Sequence, residues 1–134
     1  MKNLLFIATS ILLLAFTQNS GVSFYSSNNA VKYEMDGGKA TSVQKIDGRT
    51  EVMIDTLTKA ISISFGTMKE HKTLSLIMDS NNNGVYSIHY YIKESYNQQT
   101  NSYSQRIVHT PSQRNITIFY TKEGEKYTCI SFDY

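Results

Sequence analysis

The chain of 134 residues contains one cysteine, one proline and no tryptophan, and each shortage closes off a class of protein. A lone thiol, Cys129, forms no internal disulfide, so a disulfide-stapled scaffold is excluded and core packing must hold the fold. Cys129 stands in Tyr127-Thr128-Cys129-Ile130 with no base beside it, the setting of a small buried hydrophobe rather than a nucleophile. With 40% hydrophobic and 18% charged residues, the composition is that of one modest globular unit, neither multidomain nor disordered. Charge of one sign is also missing: 13 basic against 11 acidic side chains give a net charge of +2, too near neutrality for an electrostatic footprint on nucleic acid or an acidic membrane, which argues against polyanion binding as the main role.

The one long apolar run lies at the start. Met1-Lys2-Asn3 is followed by an uncharged stretch from Leu4 to Phe16, and then by Thr17-Gln18-Asn19-Ser20-Gly21. That is the build of a secretory signal peptide: the run is shorter than the roughly 20 residues needed to span a bilayer, and no basic stop-transfer cluster follows it. Ala15 and Thr17 suit the small-residue preference of a cleavage site, which places the leader at 1–17. The expected product is secreted or periplasmic, with no stable membrane anchor after cleavage. A flexible lead-in over 18–29 and a single β domain over 30–134 complete the division.

After the leader only Leu57, Leu74 and Leu76 remain of the leucines, and Ile, Val, Thr, Tyr and Ser dominate. Branched and aromatic side chains fit a pleated surface and lose rotamer freedom in a helix. Apolar residues recur at every second position in Val31-Tyr33-Met35, Val52-Ile54, Ile61-Ile63-Phe65, Leu74-Leu76-Met78, Tyr86-Ile88-Tyr90-Ile92, Ile116-Ile118-Tyr120 and Ile130-Phe132-Tyr134. Weaker segments occupy Val43 to Ile46 and Arg106 to Thr110. Between them fall Asp36-Gly37-Gly38, Asp47-Gly48-Arg49, Asn82-Asn83-Gly84 and Glu123-Gly124-Glu125, which tolerate the positive φ of tight turns. The expectation is an all-β fold: an antiparallel meander of about eight strands forming a small barrel or strongly curved sheet, with a β-sandwich as the alternative.

Chemical motifs are sparse. Asp79-Ser80-Asn81-Asn82-Asn83-Gly84 has oxygens at alternate positions, as a calcium loop does, but Tyr90 occupies the twelfth place where a bidentate carboxylate belongs, so a hairpin turn explains it. No metal or cofactor site is expected, and no motif of a nucleotide-binding loop, a hydrolase elbow or a zinc site is present. An acid–base site for cleaving a phosphodiester could be assembled from His89, His109 and Arg106, with Glu94 or Arg114 in support.

Tyrosine supplies the stronger signal. Ten are present, with Tyr91, Tyr96 and Tyr103 around a long polar segment from Glu94 to Gln105 that also carries Asn97 and Asn101. Tyr offers broad contact area with a hydrogen-bonding tip at small entropic cost, and Asn adds adaptable polar contacts. The functional expectation is an exported, non-enzymatic binding or interaction module that presents this Tyr/Asn-rich loop to a carbohydrate or protein partner. The alternatives are a small secreted hydrolase built on His89 and His109, and a barrel carrier of a small apolar ligand.

Overall fold

The alternation read from the sequence becomes a two-faced sheet. In the computed structural model, which describes residues 21–134, the strands are β1 (Val22–Ser27), β2 (Val31–Asp36), β3 (Lys39–Lys45), β4 (Thr50–Asp55), β5 (Ala60–Phe65), β6 (Met68–Asn82), β7 (Val85–Ile92), β8 (Tyr96–Asn97), β9 (Ser102–Tyr103), β10 (Gln105–Thr110), β11 (Asn115–Thr121) and β12 (Tyr127–Asp133). The expected leader over 1–17 lies outside the described residues. The expected flexible lead-in contains β1, which pairs with β4 from Val22↔Asp55 to Ser27↔Thr50.

Ten strands form one antiparallel sheet in the order β1-β4-β5-β6-β7-β10-β11-β12-β2-β3, and β8 pairs only with β9. Among the described residues the sheet has two free ends, β1 and β3, so of the two expected forms the small barrel is not closed. The meander is also interrupted: β4 to β7 and β10 to β12 follow chain order, whereas β1, β2 and β3 are distributed to the two ends. Turn chemistry explains where chain order holds. Asn83 (φ 51°) and Gly84 (φ 82°) put both central residues of the β6–β7 turn at positive φ, as a two-residue hairpin requires. Asp47-Gly48-Arg49 instead carries the chain from β3 away to β4. This crossing runs beside the β1–β2 connection, where the Ile46 N–H donates to the Ala30 carbonyl at 2.9 Å and the small Ala30 is fully buried.

The sheet folds over on itself. β1 and β10 are five positions apart in the strand order, which would separate them by roughly 24 Å in a flat sheet. Yet the rings of Tyr25 on β1 and His109 on β10 have centroids 4.8 Å apart. The enclosed face carries the core: Val52 and Ile54, Ile61 and Ile63, Leu74, Ile92, Ile107, Ile116 and Ile118, Ile130 and Phe132 are all buried. Each such side chain contributes on the order of 1.5–3 kcal/mol on leaving water. The long β6 serves both halves, pairing with β5 over Met68 to Thr73 and with β7 over Leu74 to Asn82.

One irregularity fixes what faces outward. The β6–β7 register shifts between Leu74, which pairs with Ile92, and Leu76, which pairs with Tyr91. Ser75 is the extra residue of a β-bulge. The Leu74-Leu76-Met78 stripe is therefore split: Leu74 stays in the core, while Leu76 and Met78 pass to the other face with exposures of 40% and 50%.

Candidate functional site

Strand parity sorts the sequence-nominated residues into two groups. On β7, Tyr90 and Ile92 point inward, so His89 and Tyr91 point outward. The β7–β10 register pairs Val108 with His89, His109 with Ile88 and Arg106 with Tyr91. Cross-strand partners share a face, so His89 and Arg106 lie outside and His109 lies inside. The His89, His109 and Arg106 set nominated for acid–base chemistry is thus divided between opposite faces of the sheet. Arg114, in left-handed conformation at φ 50°, donates through Nε to the Tyr134 carbonyl at 2.7 Å, and Glu94 accepts from the Thr73 N–H and hydroxyl at 2.9 and 2.6 Å. Both are engaged in holding chain segments.

His109 is buried between two phenols. Its Nδ1 lies 3.3 Å from the Tyr25 hydroxyl and its Nε2 2.7 Å from that of Tyr134. A neutral imidazole donates at one nitrogen and accepts at the other, and a hydroxyl can answer either need. Burial lowers the His109 pKa below the usual imidazole value and raises that of Tyr25. The trio joins β1, β10 and the residue after β12.

Outside, the register builds continuous rows. Leu76, Tyr91, Arg106, Phe119, Cys129, Tyr33 and Val43 stand side by side across β6, β7, β10, β11, β12, β2 and β3. A parallel row comprises Met78, His89, Val108, Thr117, Ser131, Val31 and Lys45. The Arg106 guanidinium lies 5.0 Å from the Phe119 ring centroid, and Phe119 packs against Tyr127 at 5.9 Å. Arg106 Nε is buried without a hydrogen-bond partner, and Arg106 joins no ion pair among the described residues. Burial and then the nearby Arg106 charge lower the His89 pKa, whose Nε2 is 3.1 Å from the Ser87 hydroxyl.

The polar loop joins this face. Tyr103 is the hub, with ring centroids 5.2 Å from Tyr91 and 5.0 Å from Tyr96, and its hydroxyl 2.8 Å from that of Ser75 in the bulge. Tyr91 stacks in turn on His89 at 6.3 Å. Tyr91, Tyr96 and Tyr103 are therefore brought together. Asn97 and Asn101 engage their amide oxygens inside the loop: Asn97 Oδ1 accepts from the Gln99 and Thr100 N–H groups at 2.9 and 3.3 Å, and Asn101 Oδ1, at a residue with φ 50°, accepts from the Tyr96 hydroxyl at 2.8 Å. Their side chains shape the loop that carries the rings.

The opposite face opens in a cleft of about 310 Å³ between the β5–β6 hairpin and β2, β11 and β12, lined by Lys32, Glu34, Phe65, Met68, Glu70 and Tyr120 among others. Lys122 at 2.9 Å, the Thr128 hydroxyl at 2.7 Å and Lys32 at 3.1 Å all engage Glu34 and hold its carboxyl down to a pKa of about 2. Glu70 receives Gln105 Nε2 at 3.3 Å and the Tyr120 hydroxyl at 3.5 Å. Two carboxylates and two ammonium groups line a space that a closed apolar carrier would fill with hydrocarbon. Among the described residues no group of three or more His, Cys, Asp or Glu side chains is arranged to hold a metal ion.

The sequence pattern singled out the tyrosines of the loop but not Arg106, Phe119, Leu76 and Tyr33 as their neighbours. Only cross-strand register puts these together, and the Ser75 bulge that brings Leu76 outward leaves no composition signal. Comparison with protein-family models, curated proteins and solved structures finds no match.

Proposed function

We propose that this protein is an exported, non-enzymatic binding module whose outer sheet face, centred on Tyr91, Tyr96 and Tyr103, takes a carbohydrate or protein partner. The observation that carries this reading is the contact chain Tyr96, Tyr103, Tyr91, His89, laid on a rigid sheet with no second layer over it among the described residues. Rigid aromatic rings with polar tips provide contact area at small entropic cost, and Tyr and Arg are the residue types that dominate binding energy at recognition surfaces. The separation of His89 from His109 weighs against the hydrolase reading, and the charged lining of the inner cleft weighs against an apolar carrier.

Export rests on the leader at 1–17 and implies action outside the cytoplasm. N-terminal sequencing of protein recovered from the periplasm or medium should begin near Gln18; recovery of the intact chain in the cytosol contradicts export. Binding is tested with Tyr91→Ser and Tyr103→Ser against immobilised neutral and acidic polysaccharides. Both variants should keep their fold and lose retention together. Retention unchanged in both would contradict this choice of surface.

A further inference from the structure

Resting on that reading of the outer face, we propose that the ligand is an acidic polysaccharide of the uronate class, with Arg106 receiving a sugar carboxylate between Tyr91 and Phe119. Charge is the first ground, and it is local: a net charge of +2 gives the chain as a whole no pull on a polyanion, so the cation at the contact point must supply the attraction. The two outer rows hold two cations, Arg106 and Lys45, together with His89, and no carboxylate in any of their fourteen positions. The four ion pairs among the described residues all lie elsewhere and leave Arg106 out. A guanidinium is a planar fork matched to carboxylate, and resting against an aromatic face orients it without neutralising it.

Shape is the second ground. Six steps between neighbouring strands make the row roughly 29 Å long, and Val108, Tyr127 and Tyr103 widen its apolar centre beside Arg106, Phe119 and Tyr91. A strip of that length suits an extended chain laid across the strands. The flanking row sets two hydroxyls among the apolar Met78, Val108 and Val31: Thr117 and Ser131 lie 3.0 Å apart and share Asn115, and in the next row out Ser87 meets His89. Pyranose rings present C–H faces that stack on Tyr and Phe, and hydroxyl edges that answer Ser, Thr and amide groups. A uronate adds one carboxylate per ring, which supplies the anion that these fourteen positions lack; Asp133, one pair beyond Ser131 on the same face, accepts from Asn115 Nδ2 at 2.8 Å.

The third ground is placement. Tyr91 is the cross-strand neighbour of Arg106 and also touches Tyr103, so the stacking platform and the guanidinium share a boundary. A sugar stacked on Tyr91 therefore lies next to the cation. Arg106 is a ligand-contacting residue on this account, and Phe119 is the residue that positions its fork.

The probe is an oligogalacturonate, compared with the same oligomer methyl-esterified at every carboxyl, with a neutral glucan and with poly-glutamate, by isothermal titration against the whole folded protein. The acid form should bind about tenfold or more tighter than its ester, the scale of one charge-assisted hydrogen bond, and should weaken as salt rises. Arg106→Gln should lose that preference, with Arg106→Lys intermediate because it keeps charge but not the fork. If Arg106→Gln does not fold, the ester comparison on the unaltered chain decides. Equal affinity for acid and ester, with binding still dependent on Tyr91 and Tyr103, overturns the acidic assignment and leaves the binding face standing. Tighter binding of poly-glutamate than of the glycan overturns it in favour of an acidic peptide. No binding to any of the four overturns it as well.

Discussion

His109 Nε2 lies 2.7 Å from the Tyr134 hydroxyl, and through this contact β10 holds the residue that follows β12 on the inner side of the sheet. With Tyr25 on the other ring nitrogen, one imidazole ties an end strand to the middle of the sheet. His109→Ala would leave two partly buried hydroxyls without a partner, which destabilises by about 1–3 kcal/mol. Urea unfolding measures this; a midpoint unchanged from the parent contradicts the role assigned to His109.

The same burial predicts the acid response. Folding lowers the pKa of His109, and of His89, below the ordinary 6.5, so below that pH the unfolded chain takes up protons that the folded chain resists. This part of the stability is complete above pH 6.5 and falls as pH drops toward the folded values. Glu34, shifted from 4.5 to about 2, adds a second loss between those two values. Melting temperature against pH should therefore fall in two stages. His89→Gln with His109→Phe should flatten the first stage and Glu34→Gln the second; an upper stage that persists in the double histidine variant contradicts the assignment.

The Ser75 bulge makes a paired prediction. Leu74 and Leu76 are both leucines on one strand, but Leu74 is buried and Leu76 is 40% exposed. Leu74→Ala should destabilise by about 2–5 kcal/mol and Leu76→Ala by less than about 1 kcal/mol. Equal losses in chemical denaturation would mean that the register does not shift.

At the β6–β7 turn, a methyl group added to Gly84 meets no atom within 4 Å, so any effect of Gly84→Ala is conformational. With φ at 82° the substitution should destabilise by roughly 1 kcal/mol or more. Thermal denaturation checks it, and a neutral result contradicts the turn geometry.

Much of this fold is legible in the sequence because a period of two reports directly on burial. Ile61 and Ile63, Ile116 and Ile118, and Ile130 and Phe132 alternate and are buried as the alternation requires. Less legible is anything decided by pairing between distant strands. Nothing in Val22–Ser27 signals that it joins β4 rather than β2, and nothing local shows that β2 inserts between β12 and β3. The candidate site divides the same way. Tyr96 and Tyr103 sit on a short hairpin that sequence proximity suggests, whereas Arg106 reaches Phe119 only through the β10–β11 register. Asn97 and Asn101 match the composition of a binding loop, yet the Gln99 N–H and the Tyr96 hydroxyl, both within the loop, engage their oxygens.

The central claim, that the outer face binds, is tested most directly by amide chemical-shift mapping of the isotope-labelled protein titrated with oligogalacturonate. The account predicts shifts concentrated at Tyr91, Tyr103, Arg106 and Phe119, with Glu34, Met68 and Glu70 of the inner cleft unmoved. Shifts confined to the inner cleft would contradict it.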